Sequence, residues 1–216
     1  MTTLDRGLVR RRFDHGGFTL TELLVAMTCL GLVLAALTGM FVSGQQSFLV
    51  GANQVEAQEN VRIALQRMSD EIRGAGNGPS GAKFTAIAAG QTATSLILQN
   101  DWNGNGIIEP AVTTNVNGAP RGEQVTYSYV GTQLMRQESG VDAAAVPLVG
   151  GIQSLTFTYL GADGATTAVT DNIRSVTVAV RGGPQTRAPT NPCAPYTYAE
   201  GNVGVAMIDT ARIRNR

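Results

Sequence analysis

The amino-acid sequence predicts an α+β protein in which one long N-terminal helix packs on an antiparallel β-sheet domain. Three observations lead to this prediction. An uncharged apolar stretch lies near the N-terminus, a segment with apolar residues on one helical face follows it, and later segments place apolar residues at every second position. With 216 residues, the chain can form one globular domain with an appended segment, which excludes a large multidomain enzyme.

Residues 1–17 are basic, with four arginines against two aspartates. Arginines that flank a membrane-spanning segment stay on the cytoplasmic side, so we expect the rest of the chain to face outward. A secretory signal has a short apolar region followed by a small-residue cleavage site. Here the small residues, Gly16 and Gly17, precede the apolar run instead. We therefore expect the apolar helix to be retained after any cleavage at this point.

The apolar run Leu23–Val42 contains 20 residues and no charge. About 20 such residues in a helix cross the ~30 Å hydrocarbon core of a bilayer. A buried core helix is the alternative, but a domain of this size is too small to surround one on all sides. Glu22 stands at the start of this run. An acidic residue there is either a functional residue, since an ionised carboxylate is costly in hydrocarbon, or a marker of the headgroup boundary.

Residues 16–27, GGFTLTELLVAM, resemble the prepilin signature of type IV pilins and type II secretion pseudopilins. The matching residues are Gly17, Phe18, Thr19, Leu20, Glu22 and Leu23. The resemblance implies that a prepilin peptidase cleaves after Gly17 and N-methylates Phe18. It also implies that Glu22 helps to register subunits in a fibre. A carboxylate in that environment needs a cation, and the new α-amino group of a neighbouring copy would supply one.

The helical pattern continues past the apolar run, with Val61, Leu65, Met68 and Ile72 on one face. Three glycines and Pro79 then predict the end of the helix. Residues 58–78, QENVRIALQRMSDEIRGAGNG, resemble the corresponding stretch of minor pilins of the PilW type. The predicted organisation is a cleaved leader at 1–17, a membrane or fibre-core helix at 18–49, an amphipathic second half at 50–78 and an exported β-rich domain at 79–216.

Six segments of the exported domain have the period of β-strands. They are Thr94–Gln99, Glu123–Val130, Gln133–Gln137, Ile152–Leu160, Ile173–Arg181 and Val205–Ile213. The dipeptides at 131–132 and 163–164 predict turns after the second and the fourth of these strands. The proline-rich residues 182–195 predict a surface loop before the last strand.

Histidine and cysteine, two residue types that commonly carry catalysis, are scarce, with one His and two Cys in the chain. The single histidine, His15, lies in the predicted leader, so a mature chain would lack histidine-dependent nucleophilic and metal sites. Cys29 lies in the apolar helix and Cys193 in the predicted loop, too far apart to bond within one chain. We therefore expect a protein that is not an enzyme.

The segment 101–109 is the one run that resembles a metal site. Asp101, Asn103 and Asn105 hold loop positions 1, 3 and 5 of the order found in EF-hands, with the carbonyl of Ile107 at 7 and Glu109 at 9. Position 12 would be valine, so the bidentate glutamate is absent and another part of the chain, or water, would have to complete the shell. Similar runs in PilW-type proteins favour Ca²⁺, whereas a tight Asn/Gly turn explains the same residues without an ion.

The resemblance implies a minor pilin, a structural or priming subunit of a type IV pilus, inserted in the bacterial inner membrane and later exposed in the periplasm or at the cell surface. Expected partners are the prepilin peptidase, other major and minor pilins and the pilus assembly platform. The alternatives are a minor pseudopilin of type II secretion, a tip adhesin or DNA-uptake pilin, and a membrane-anchored enzyme. A net charge of zero gives no reason to expect nucleic acid as a partner.

Overall fold

The computed structural model describes residues 17–81, 83–183 and 204–215. Residues 1–16 of the predicted leader, including His15, and Cys193 lie outside these ranges. The chain divides between Phe48 and Leu49 into two compact units, and helix α1, Leu20–Gly74, passes through both.

The part of α1 in the first unit is apolar on all sides and exposed. Leu23, Leu30 and Leu37 are each more than half exposed. Within the described residues, α1 is the one helix long and apolar enough to cross a membrane, and none of its most apolar window is buried. A helix that is apolar all round needs lipid or other helices around it. The structure therefore supports membrane anchoring or burial among neighbouring subunits.

The part of α1 in the second unit is amphipathic, as predicted from the sequence. Val61, Leu65, Met68 and Ile72 are all buried, together with Ala57, Ala64 and Ser69. The helix ends at Gly74, and its last carbonyls are partly satisfied because the side-chain amide of Asn215 donates to the carbonyls of residues 74 and 75.

Nine strands form three antiparallel sheets within the described residues. The four-stranded sheet has the order β1-β4-β5-β6, the hairpin pairs β2 with β3, and the three-stranded sheet has the order β7-β8-β9. The strands are β1 Ser95–Gln99, β2 Thr113–Val116, β3 Ala119–Gly122, β4 Gln124–Val130, β5 Gln133–Glu138, β6 Val146–Gly150, β7 Ile152–Leu160, β8 Ser175–Gly182 and β9 Val205–Arg212. A 3₁₀ turn, Thr170–Asn172, precedes β8.

The α+β prediction is confirmed, and all six predicted strands are present with ends shifted by at most two residues. Three strands, β2, β3 and β6, were not predicted. Gly182 is the last residue of β8, so the loop predicted from that residue begins at least one position later.

One hydrophobic core joins the amphipathic face of α1 to the inner faces of the four-stranded and three-stranded sheets. The alternation predicted for the strands is observed, because every second residue is buried along most of β1, β4, β7 and β8. The backbone of β8 lies very close to α1 at Gly182. A Cβ at Gly182 would lie against Val61 Cγ2 and 3.2 Å from the carbonyl oxygen of Ala57. Glycine is therefore required at this contact for lack of space.

Candidate functional site

The predicted processing residues lie at the start of α1. Phe18 is 88% exposed, and a Cβ added to Gly17 would meet no atom within 4 Å. Packing within the described chain therefore does not explain a glycine at position 17. Recognition by another protein, such as the peptidase that the resemblance implies, would explain it.

Glu22 forms a capping box with Thr19 at the first turn of α1. One carboxylate oxygen of Glu22 accepts from the backbone N–H of Thr19 at 2.9 Å and from its hydroxyl at 2.8 Å. The Thr19 hydroxyl oxygen in turn accepts the backbone N–H of Glu22 at 3.3 Å. This reciprocal pattern satisfies two N–H groups that a helix otherwise leaves unpaired. Both residues follow Gly17, so the contacts would survive cleavage there.

The capping box gives Glu22 a local structural role that the sequence analysis missed, although the spacing Thr-x-x-Glu was visible. It does not exclude a role between subunits. The Glu22 side chain is exposed in the isolated chain, and a carboxylate can accept more hydrogen bonds than the two it receives from Thr19.

The segment 101–109 folds as a series of Asx turns around Asp101. The two carboxylate oxygens of Asp101 accept the backbone N–H groups of Gly104 at 2.7 Å and of Gly106 at 2.6 Å. Both glycines have positive φ, at 76° and 83°, which other residues rarely adopt. Asp101 is only 3% exposed, so this carboxylate holds the loop from inside.

The side chains of the two loop asparagines converge on Glu109. Its Oε2 accepts the side-chain amides of Asn103 at 3.1 Å and of Asn105 at 2.6 Å. The amide oxygens of the same asparagines accept the backbone N–H groups two residues further along the chain. The five residues predicted from the sequence therefore form one continuous loop.

A carboxylate that the sequence analysis did not assign lies against this loop. Glu123, between β3 and β4, is fully buried, and its Oε2 accepts the backbone N–H of Glu109 at 2.7 Å. Its position follows from sheet pairing, since Gln99 pairs with Gln124 and the N–H of Asn100 donates to the carbonyl of Glu123. In the described part of the chain, His, Cys, Asp and Glu side chains form no group of three placed to hold a metal ion. A cation at this loop would therefore depend on amide and carbonyl oxygens as well.

A second buried charge cluster joins α1 to the four-stranded sheet. Arg136 on β5 lies 3.1 Å from Glu71 on α1 and 2.7 Å from Glu138. Burial alone would lower the pKa of Arg136, but the hydrogen bond to Glu138 and the charge of Glu71 outweigh it and hold the pKa above its usual range. Because these residues come from distant parts of the chain, no local pattern predicts the cluster. Arg67, four residues before Glu71 on α1, also pairs with Glu71 at 2.8 Å.

Comparison with known proteins identifies the N-terminal segment. The family described as "Prokaryotic N-terminal methylation motif" matches residues 12–38. The matched residues include Gly17, Phe18, Glu22 and most of the apolar run. A search of the curated proteins finds no match. The matched motif supports a role as a type IV pilin or a pseudopilin-like protein, with processing by a prepilin peptidase and assembly with other pilins.

Proposed function

We propose that the chain is a minor pilin, a structural or priming subunit for type IV pilus assembly. The observation that carries this proposal is the prokaryotic N-terminal methylation motif at residues 12–38, which continues into an exposed apolar helix. The resemblance of residues 58–78 to PilW-type proteins favours a minor pilin within the broader class. A structural role also agrees with the N-terminal motif, which belongs to proteins that assemble rather than catalyse.

The proposed processing has two steps. A prepilin peptidase cleaves between Gly17 and Phe18, and the new N-terminus at Phe18 is methylated. Among the described residues no atom would contact a Cβ at Gly17, and Phe18 is highly exposed, which supports access by such an enzyme. The retained helix then anchors the protein in the inner membrane, with the N-terminus on the cytoplasmic side and the β-rich unit outside.

The proposed assembly step buries the apolar helix among the helices of other subunits. The large side chains of residues 23–42 are exposed in the isolated chain, so filament packing would remove this apolar surface from lipid contact. In that dry environment the carboxylate of Glu22 requires a positive partner, and the α-amino group at Phe18 of a neighbouring subunit is the proposed one. The major and minor pilins and the assembly platform are the partners that this step requires.

The processing proposal is tested by mass spectrometry of the protein co-expressed with a prepilin peptidase. The expected product begins at Phe18 and carries one additional methyl group, and Gly17→Ala is expected to stop the cleavage. A product that retains residues 1–17, or one cut elsewhere, would contradict the proposal. A peptidase variant without activity serves as the control for adventitious proteolysis.

A deletion in the native host distinguishes a pilus subunit from a subunit of type II secretion, because the methylation motif is common to both. Surface pili are counted by electron microscopy, and secreted proteins are compared by gel. Loss of pili with normal secretion is expected. Loss of secretion with normal pili would instead assign the chain to the pseudopilins. Complementation with the wild-type chain controls for effects on neighbouring genes.

A further inference from the structure

Glu123 is a buried carboxylate with one oxygen unaccounted for. The residue is fully buried, its Oε2 accepts the Glu109 N–H, and its Oε1 has no hydrogen-bond partner among the described residues. A buried carboxylate is strongly disfavoured unless its charge and its lone pairs find partners. The structure thus leaves one buried carboxylate oxygen beside the 101–109 loop.

No basic side chain in the described part of the chain forms an ion pair with Glu123. Arg121, two residues away in sequence, instead forms an ion pair with Glu138 at 2.9 Å, and its guanidinium lies 5.3 Å from the centre of the Trp102 ring. An external cation would supply the missing positive charge.

The loop against which Glu123 lies already has most of the oxygen ligands that calcium requires. Its positions 1, 3, 5, 7 and 9 follow the order of an EF-hand loop, and the glycine at position 6 has the positive φ that this turn needs. An EF-hand completes its shell with a carboxylate at position 12, where this chain has Val112. The missing ligand is therefore a carboxylate, and Glu123 is a buried carboxylate that contacts the loop.

We propose that the 101–109 loop binds one Ca²⁺ ion and that Glu123 supplies the carboxylate ligand absent from the loop itself. Asp101 and Glu123 are the two direct carboxylate ligands, and the side-chain oxygens of Asn103 and Asn105 with the carbonyl of Ile107 complete the protein ligands. A site with only two direct carboxylate ligands agrees with the finding that, among the described residues, no three His, Cys, Asp or Glu side chains are placed to hold a metal ion.

Glu109 is a positioning residue in this arrangement. Its Oε2 already accepts the amides of Asn103 and Asn105, and the residue at position 9 of such loops often reaches calcium through a water molecule. Calcium fits better than magnesium, because magnesium demands near-ideal octahedral geometry and keeps several waters, whereas calcium tolerates a flexible shell of carbonyl and carboxylate oxygens. The proposal concerns the second unit alone and does not depend on filament assembly.

The first test is calcium binding by the full chain purified in detergent and stripped with a chelator. Calorimetric titration measures the affinity, and Tb³⁺ luminescence excited through Trp102, the single tryptophan and loop position 2, reports the location of the site. We expect saturable binding of one ion, a rise in the melting temperature with Ca²⁺, and Tb³⁺ emission that Ca²⁺ reverses. Absence of binding in the wild-type chain overturns the proposal.

The second test separates a ligand from a structural residue by replacing Glu123→Gln. Glutamine keeps an oxygen for the Glu109 N–H but removes the charge, so the dissociation constant for Ca²⁺ is expected to rise about tenfold or more. Asp163→Asn is the matched control, since Asp163 holds another Asp-Gly turn, and it should leave calcium affinity unchanged. Wild-type affinity in Glu123→Gln would overturn the assignment of Glu123.

The exposed loop asparagine provides a third variant that does not disturb the buried residues. Asn103→Ala removes one proposed ligand from an exposed position, so it is expected to weaken calcium binding and leave the metal-free melting temperature close to wild type. An unchanged calcium affinity in this variant would contradict the proposed loop ligands, even if Glu123→Gln fails to fold.

Discussion

Replacing Arg136 by methionine tests whether the buried charge cluster holds α1 to the four-stranded sheet of the second unit. The Arg136 side chain is 13% exposed, and its two closest carboxylates, on Glu71 and Glu138, are 12% and 7% exposed. Methionine retains much of the apolar length of arginine and removes the guanidinium. The variant would therefore leave two nearly buried carboxylates without their shared cation.

Removing one partner of a buried ion pair destabilises a protein by about 3–5 kcal/mol when the remaining charge stays buried and uncompensated. Here Glu71 keeps Arg67 at 2.8 Å and Glu138 keeps Arg121 at 2.9 Å, so we expect the lower end, about 3 kcal/mol. For a chain of 150–250 residues, each 1 kcal/mol lowers the melting temperature by about 2–4 °C. The expected fall in the melting temperature for Arg136→Met is thus on the order of 6–12 °C. Arg67 provides the contrast, since it also pairs with Glu71, at 2.8 Å, but its side chain is 49% exposed. Arg67→Met should cost at most about 0.5 kcal/mol.

The assay is thermal unfolding of the full chain in detergent, followed by circular dichroism in the β-sheet region. Adding Glu138→Gln to Arg136→Met should recover part of the loss, because it removes one of the stranded charges. A melting temperature of Arg136→Met within about 2 °C of wild type, or an equal loss in Arg67→Met, would contradict a stabilising role for the buried cluster.

Three further predictions concern the α1–β8 contact, the capping box and a buried tyrosine. Gly182→Ala should destabilise the second unit by about 1–3 kcal/mol in thermal unfolding, because its Cβ meets Val61, and Val61→Ala should restore part of the loss; additive losses would contradict the contact. Glu22→Gln keeps the capping box but removes the charge, so cleavage should persist while surface pili fall about tenfold or more. Thr19→Ala removes the hydroxyl contacts of the box and keeps the charge of Glu22, and equal loss of pili in both variants would favour capping over subunit pairing. Burial raises the pKa of Tyr159 above that of a tyrosine in the unfolded chain, which is about 10. The contribution of Tyr159 to the free energy of unfolding is therefore complete below about pH 10 and declines as the pH rises from there toward the folded pKa. Tyr159→Phe should flatten that decline in alkaline unfolding curves, and an unchanged decline would exclude this tyrosine as its cause.

Local patterns predicted the elements whose side chains are buried on one face. The helix residues 61–72 and six strands carry the apolar periods that such burial requires, so their positions could be predicted to within two residues. The three strands that were missed lack this signal. β2 and β3 are largely exposed, and β3 contains Pro120, which usually argues against a strand. The turn Asn117-Gly118, with φ of 51° and 84°, was the available signal for this hairpin.

β6 was also not predicted from the sequence, for a different reason. It contains Pro147 and lies at the edge of the four-stranded sheet, where a missing N–H is tolerated, and its pairing with β5 is interrupted by a register shift between Leu134 and Met135. An edge strand with a proline and an irregular partner has neither the composition nor the alternation of the central strands. Such strands become identifiable only when the neighbouring strand is known.

Part of the candidate site could be predicted from consecutive residues, and part depends on strand pairing between distant residues. Asp101 to Glu109 could be found because ligand spacing, glycines and Asx turns are properties of nine consecutive residues. Glu123 could not be assigned, because in sequence it is only an acidic residue at the start of a strand, on the alternating face that should be apolar. Its burial beside the loop depends on the register of β1 with β4, which brings residues 100 and 123 together from 23 positions apart. A charged residue on a face where the strand period expects an apolar one is thus a sequence signal in its own right, and in this chain it marks the residue on which the proposed calcium site depends.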